Sequence, residues 1–355
     1  MSLAQHTSKA AMRAAFFSEP GPAEAVEVGE LPVPVPGPAD ALVAAEVAVI
    51  NPVDTLIRSG RWPTLMPLPF VTGRDLAGTV TAAGAGSGFS PGDRVWSNSL
   101  GHAGRQGACA EYAVVPGDRL YPLPRGVAAA EAAATFHSAA TAFIGLHHRA
   151  RARAGQTILI GGAAGGIGSA LVRLAAEAGL RVIATARPGD HARCLEQGAS
   201  AVFDFGDPSL ASRVLDVAPG GAGILWDTSG RMPLGAMEPM TATGGKIMVT
   251  AGAEPQPPGT SLLPVFTRDI SVIGFVISLA TATELADAAQ AINRHLASGG
   301  FSMKAPAIMP LEKAAEAHAL VESRQTPRAV MQIGGPAHEA VPRESPEAAK
   351  PPPAS

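Results

Sequence analysis

Between residues 157 and 277 six short apolar runs recur, "TILIGG", "RVIATA", "SAVFDF", "GILWDT", "GKIMVTAG" and "SVIGFVI", with helical segments between most of them. Runs this apolar suit strands buried on both faces, which an open sheet achieves when helices cover both sides. Strands joined through helices also lie parallel, because the crossover returns the chain to the same end of the sheet. The stretch therefore predicts an α/β unit built on a six-stranded, doubly wound parallel sheet.

The flanks read differently. From Met12 to about Thr135 the strand-length runs "MRAAFF", "ALVAAEVAVI", "LAGTVTAAGAG", "DRVWS" and "CAEYAVV" are broken by Gly and Pro. That is the pattern of an irregular, mostly β unit. After the six runs come a helix, "ELADAAQAINRHLASGG", then "SMKAPAIMPLEKAAEAHALVES" and a closing strand, "RAVMQI". These have no place in the six-stranded sheet and are expected to return to the first unit. The expected division is 12–135 with 276–334 as one unit and 136–275 as the other. Residues 1–11 and 335–355, rich in Ala, Pro, Ser and charge, are expected as disordered tails.

Composition narrows the classes of function. No apolar run approaches the roughly 20 residues of a membrane span, and a net charge of -3 with no basic cluster interleaved with aromatics argues against nucleic acid. The two cysteines, Cys109 and Cys194, are too few for a disulfide scaffold and suit a reducing compartment. The first residues lack the apolar region of a secretory signal, so a cytoplasmic protein is expected.

The first apolar run opens into "GGAAGGIGSA", residues 161–170. A six-residue dinucleotide fingerprint would put Ala163, Gly165 and Gly168 in its three glycine slots, so the first slot fails. The context is stronger than the string. A strand precedes it, and Ile167, Leu171, Leu174 and Ala178 then share one helical face. Glycines let backbone N–H groups approach a pyrophosphate, and a helix N-terminus adds roughly half a positive charge. Ala164, Gly165, Gly166 and Ile167 are the candidate pyrophosphate contacts. The spacing also fits the GxxxGxG of short-chain dehydrogenases, but their YxxxK pair lies downstream, and here both tyrosines, Tyr112 and Tyr121, lie upstream.

The second run ends "IATARPGDHAR". An NAD site usually carries an acid there for the ribose hydroxyls. Instead Thr185 and Arg187 stand at the strand end, with Arg193 on the next helix. Guanidinium groups suit a 2′-phosphate, so NADPH is favoured over NADH; Asp190 keeps some NAD use open.

Together "NPVDTLIRSGRWP", "PFVTGRDLAGTVTAAGAG", "GFSPGDRV", "AEYAVVP", "AAGGIGSALVRLA" and "VIATA" resemble the medium-chain dehydrogenase/reductase superfamily, and within it the zinc-independent quinone oxidoreductase (zeta-crystallin-like) branch. The resemblance runs from about Met12 to Ile333. It implies a GroES-like catalytic domain, discontinuous because its last segment rejoins it, a Rossmann domain, and a cleft between them. The zinc branch needs a Cys where this chain has Ile50, Asn51, Pro52 and Val53, and His and Glu where it has Gly73, Arg74 and Asp75. Asp75 alone cannot build a tetrahedral site, so no zinc is expected.

The resemblance also assigns roles. Asn51 lines the cleft and is the first choice to contact the acceptor carbonyl, although an Asn before Pro52 could simply start a turn. Asp54 and Arg58 are expected to pair and brace that turn. Thr141 corresponds to a threonine near the nicotinamide, or bonds its own helix backbone. Phe205 stands where relatives often carry a tyrosine and keeps an aromatic shelf near the adenosine phosphate. The turns at Thr228 and Gly252, with Phe275 and Val276, hold the nicotinamide half in relatives. Trp62 replaces a tyrosine that is the proposed proton donor in mitochondrial-type enoyl reductases. An indole N–H donates hydrogen bonds but is no usable acid at pH 7. His137 lies near the domain junction and could face the cleft.

The expectation is an NADPH-dependent reductase of a small-molecule quinone, enone or related conjugated carbonyl, working as a homodimer through the edge of the six-stranded sheet. An enoyl-CoA or enoyl-carrier-protein reductase is the alternative in chemistry, and a non-catalytic, crystallin-like NADPH-binding protein the alternative in class.

Overall fold

The computed structural model describes residues 10–252, 261–301 and 303–334. The expected tails lie outside these residues except for positions 10 and 11, and Ala11 opens the strand Ala11–Phe17.

The six apolar runs form one sheet in the order Ala201–Asp204, Arg181–Ala186, Thr157–Gly161, Ala222–Asp227, Thr241–Val249, Ser271–Gly274. Every pairing is parallel. The strand order reverses beside Thr157–Gly161, and in sheets of this kind the crevice beyond the carboxyl ends at that point is where ligands bind. Ile158, Leu159 and Ile160 are fully buried there, as are Leu225 and Trp226 on the neighbouring strand. The sixth strand ends at Gly274, short of the run "SVIGFVI". Its partner strand ends at Val249, whose carbonyl accepts a last hydrogen bond from the Phe275 N–H at 3.1 Å.

A second, mixed sheet follows the order Ala307–Pro310, Ala329–Gln332, Asp40–Ile50, Asp75–Ala83, Arg94–Ser97, Tyr121–Pro122, with Tyr112–Pro116 also paired to Asp40–Ile50. The last strand of the chain runs antiparallel to Asp40–Ile50, with Ala329 opposite Ile50. On the other side of Asp40–Ile50, Asp75 lies opposite Val49. Three neighbouring strands therefore reach one edge of the sheet with Asn51, Asp75 and Arg328 at their ends.

The two sheets share an apolar core. Val47, Val49 and Trp96 from the second sheet cluster with Phe136, Ile158 and Leu171. The rings of Trp96 and Phe136 stack at 4.2 Å. Full burial of a side chain such as Phe136 or Ile158 is worth about 1.5–3 kcal/mol. Helix Ala282–Ala297, assigned from sequence to the β unit, buries Leu285, Ala288, Ile292 and Leu296 in this same cluster. That face packs on helix Phe136–Ile144 within the core that both sheets share, and Asn293 on the same helix accepts from Trp96 Nε1 at 3.0 Å and donates to the Pro122 carbonyl at 2.9 Å.

Candidate active site

Strand Thr157–Gly161 leads through the glycine-rich turn into helix Gly166–Glu177. Gly162 has φ +68°, a left-handed conformation that favours glycine, and Gly165 donates back to its carbonyl at 2.9 Å. Gly168 is required by packing: a Cβ there would sit 2.2 Å from the Gly162 carbonyl oxygen. Helix residue Gly166 faces a narrow gap in which a Cβ would meet Ser138 Oγ at 2.7 Å and Arg328 Nη2 at 2.9 Å. No side chain caps this helix, so its first N–H groups remain for a ligand. Arg328 is 2% exposed and its Nη2 has no hydrogen-bond partner. A buried guanidinium nitrogen without an acceptor is costly, and beside uncapped amides it fits a pyrophosphate. Sequence reading missed Arg328 because it lies far from the glycines, and a single arginine before "AVMQI" carries no local signal.

At the end of the second strand Thr185 is buried, its hydroxyl oxygen has no partner, and its carbonyl accepts from Ala163 at 3.0 Å. Arg187 is exposed. Arg193 Nη2 donates to the Ala164 carbonyl at 3.2 Å and to Asp190 Oδ1 at 2.8 Å. The two arginines therefore differ: Arg187 is open to solvent, whereas Arg193 is tied to the glycine turn and half-neutralised by Asp190. Phe205 follows strand Ala201–Asp204 and is 48% exposed, an available apolar shelf.

The turn after strand Ala222–Asp227 is organised by Asp227, whose carboxylate accepts from Ser229 Oγ at 2.7 Å and from the Arg231 and Met232 N–H groups at 2.9 and 2.8 Å. Thr228 Oγ1 donates to the Gly161 carbonyl at 2.8 Å, so it braces the glycine turn. A Cβ on Gly230 would lie 2.5 Å from the Gly252 nitrogen, which brings the 228–230 and 250–252 turns together. Phe275 packs edge-on against Trp226, with ring centroids 5.7 Å apart. Val276 extends from it into the turn Ile277–Leu279.

Asn51 is 2% exposed, and its side-chain Nδ2 donates to Asp75 Oδ2 at 3.0 Å. The other Asp75 oxygen has no hydrogen-bond partner and lies 3.7 Å from His137 Nδ1. Asp54 Oδ2 accepts from the Asn51 backbone N–H at 2.7 Å, starting helix Pro52–Arg58. Burial pushes the Asp54 carboxyl up to about 7, against the opposing pull of Arg74. The expected Asp54–Arg58 pair is not formed. Asp54 turns back to cap its own helix, and Arg58 instead donates to Glu322 at 2.6 Å. Thr141 Oγ1 donates to the His137 carbonyl at 2.8 Å, the bond to its own helix backbone that the sequence left open. Trp62 is half-buried and packs with Met66 on the small cluster of Phe17, Val53, Ile57 and Phe70. It makes no hydrogen bond to the Asn51 group among the described residues. No cluster of three or more His, Cys, Asp or Glu side chains able to hold a metal ion occurs among the described residues.

A mixed sheet that takes back the chain's last strand, beside a parallel sheet with a glycine turn at its switch point, defines the medium-chain dehydrogenase/reductase class. Family models agree: the alcohol dehydrogenase GroES-like domain matches residues 37–125 and the zinc-binding dehydrogenase model residues 166–294. Quinone oxidoreductase of Pongo abelii is 30% identical over 319 residues, 88% of this chain and 94% of that protein. A mycobacterial protein solved in complex with NADPH superposes with TM-score 0.79 at 27% identity, covering 90% of this chain and 99% of its own. A structure described as an NAD-dependent alcohol dehydrogenase superposes with TM-score 0.81 at 30% identity, covering 91% and 100%. The chain belongs to the quinone oxidoreductase family of the medium-chain dehydrogenase/reductase superfamily. It is an oxidoreductase of that class.

Proposed function

We propose that this oxidoreductase uses NADPH to reduce a quinone, enone or related conjugated carbonyl. The observation that carries this reading is the pair of ligand-ready groups that Arg328 brings together: the uncapped glycine turn, which it faces at Gly166, and the Asn51–Asp75 hydrogen bond on the neighbouring strand ends. When bound, NADPH supplies the hydride. The chain's residues do the rest. The amides of Gly166 and Ile167 and the Arg328 guanidinium take the pyrophosphate charge, while the Gly165 amide stays bonded to the Gly162 carbonyl and shapes the turn; Arg187 and Arg193 take the 2′-phosphate. Phe205 supports the adenine half, and the turns at Thr228, Gly252, Phe275 and Val276 wall the nicotinamide half. Asp75 uses one of the two side-chain N–H donors of Asn51 and so aims the other at the acceptor carbonyl, where negative charge develops. The family's NADPH-bound mycobacterial relative supports the cofactor. The Asp190–Arg193 ion pair, together with the NAD-dependent neighbour, supports retention of some NADH use.

The same proposal includes a homodimer through the sixth strand. Support comes from Val272 on that edge and from Leu262, Leu263 and Phe266 just before it, all exposed. Both cysteines are free and buried, which suits a reducing, cytoplasmic setting. The test is NADPH oxidation followed by absorbance against quinones, enones and enoyl thioesters. Turnover of a quinone or enone is expected; tight NADPH binding with silence across the panel overturns the reading.

A further inference from the structure

Asp75 divides its two carboxylate oxygens between two side chains. Oδ2 accepts from Asn51 Nδ2 at 3.0 Å, whereas Oδ1 is buried without a hydrogen-bond partner and lies 3.7 Å from His137 Nδ1, which is itself buried without one. The two orphaned atoms face each other. His137 stands on helix Phe136–Ile144 at the joint between the sheets. Its neighbour Phe136 stacks on Trp96 and accepts at its carbonyl from Asn98 Nδ2 at 3.4 Å, which ties the start of the helix to the mixed sheet. On its other side Ser138 Oγ lies 2.7 Å from where a Cβ on Gly166 would sit, at the start of the glycine-turn helix. One turn further on, Thr141 Oγ1 donates to the His137 carbonyl and holds the backbone there. The His137 side chain is 13% exposed against 1% for Asp75, and of its two ring nitrogens only Nδ1 is buried without a partner. Nε2 is therefore the nitrogen left open to a ligand. The Asp75 charge also acts on Arg328, so one carboxylate links the imidazole, the Asn51 amide and the pyrophosphate guanidinium.

We propose that His137 is the general acid that protonates the reduced acceptor, with Asp75 as its positioning residue. This role rests on the reductase reading, and it commits the acceptor to an enone-type carbonyl that takes its proton on carbon. When hydride reaches the β-carbon of an enone, negative charge collects on the carbonyl oxygen beside Asn51 and at the α-carbon. The Nε2–H bond of the His137 imidazolium then breaks, its electron pair stays on nitrogen, and the enolate pair forms the new bond from the α-carbon to hydrogen. The enone has gained one hydride and one proton, and solvent returns the proton to Nε2. Asp75 offsets the imidazolium charge beforehand and keeps the other proton on Nδ1 afterwards, so Nε2 is the atom that gives and regains the proton. A separation such as 3.7 Å in the cofactor-free protein is of the kind that tightens when substrate binds. The other candidates are committed elsewhere. Trp62 is no acid, and the Asp54 carboxyl is buried and accepts from the Asn51 backbone N–H.

The experiment reduces 2-methylcyclohex-2-enone, whose product is chiral at the carbon that takes the proton. The wild type is expected to form one enantiomer in excess, because a fixed acid reaches one face only. His137→Gln and His137→Phe are expected to lower kcat by about 100-fold with the KM for NADPH nearly unchanged, and to bring the enantiomer ratio toward one as water protonates either face. A second readout needs neither cofactor nor turnover: the nitrogen-15 shifts of the neutral histidine rings in the cofactor-free protein, with the His137 signals assigned by their loss in His137→Gln. These are expected to place the His137 proton on Nδ1 and to move in Asp75→Asn; a proton on Nε2 overturns the pairing. A fall in kcat with the enantiomer ratio preserved leaves His137 a structural part and overturns the general acid, as does an unchanged kcat in both variants. Quinone turnover with no enone reduced overturns it too, whereas no turnover of either removes the reductase reading itself.

Discussion

Asn51, just past the end of strand Asp40–Ile50, and Asp75, at the start of the neighbouring strand, are joined by a 3.0 Å hydrogen bond in which the amide donates and the carboxylate accepts. Because both are almost fully buried, this bond fixes the amide plane and the direction of its second N–H. A donor held in place before charge develops is worth about 10²–10³ in rate. Asn51→Ala is expected to lower kcat by about 100-fold with the KM for NADPH nearly unchanged, and Asp75→Asn to lower it by a smaller factor. Steady-state kinetics with a saturating enone decides this; an unchanged turnover removes Asn51 from the reaction.

The arginines of the cofactor site separate by which phosphate they meet. Arg187→Ala is expected to raise the KM for NADPH about tenfold and leave that for NADH alone. Arg328→Met acts on the shared pyrophosphate and is expected to weaken both cofactors alike. Parallel titrations with the two nucleotides check the pair, and equal effects of Arg187→Ala on both sink the 2′-phosphate assignment.

Asp190 holds Arg193 at 2.8 Å. Asp190→Asn releases that guanidinium and removes an anion from the neighbourhood of the 2′-phosphate. The NADPH-over-NADH ratio of kcat/KM is expected to rise several-fold, and a fall would show that Asp190 positions Arg193 instead of competing for it.

Gly168 and Gly165 are both glycines of the cradle but differ in what surrounds them. A Cβ at Gly168 would meet backbone at 2.2 Å, whereas one at Gly165 would meet its nearest atom at 3.2 Å. Gly168→Ala is expected to cost about 1–3 kcal/mol of stability, and Gly165→Ala clearly less. Urea unfolding of the two variants compares them directly.

His318 is fully buried, with Nε2 2.9 Å from Thr72 Oγ1, and burial followed by the Arg58 charge pushes it down to about 3. The unfolded chain takes up this proton near pH 6.5 while the folded chain does not, so stability is lost as pH falls from about 6.5 toward 3. Asp54 acts oppositely. Its folded carboxyl keeps a proton up to about 7, so its contribution is complete below about 4 and is lost as pH rises from 4 to 7. His318→Gln is expected to flatten the acid side of a Tm-against-pH curve, and Asp54→Asn the neutral side. Loss of the same limb in both variants would contradict these directions.

Much of the parallel sheet was legible because its signals are local. Apolar runs, helical periodicity and a glycine turn each report on a few neighbouring residues, and the observed strand order follows from connecting them through helices. The Asn51 turn was legible only as a candidate, since Asn before Pro52 fits a turn as well as a binding group. Arg58 was misassigned to Asp54 because spacing along one helix cannot show that Glu322, from a distant helix, offers the better partner.

What the sequence alone determined is the α/β unit, its glycine turn, and the places of Arg187 just after its second strand and of Arg193 on the next helix, all of which depend on backbone freedom and periodicity within short windows. What only the tertiary structure decided is the convergence of Asn51, Asp75, His137 and Arg328 at one sheet edge, and of Arg74, Arg105 and Arg119 around one cavity. Those meetings are set by the register of antiparallel strands and by the return of the chain's last strand to the sheet. No local pattern of residues encodes either one, and burial after the chain closes is what leaves Nε and Nη2 of Arg74 and Nη2 of Arg328 without hydrogen-bond partners.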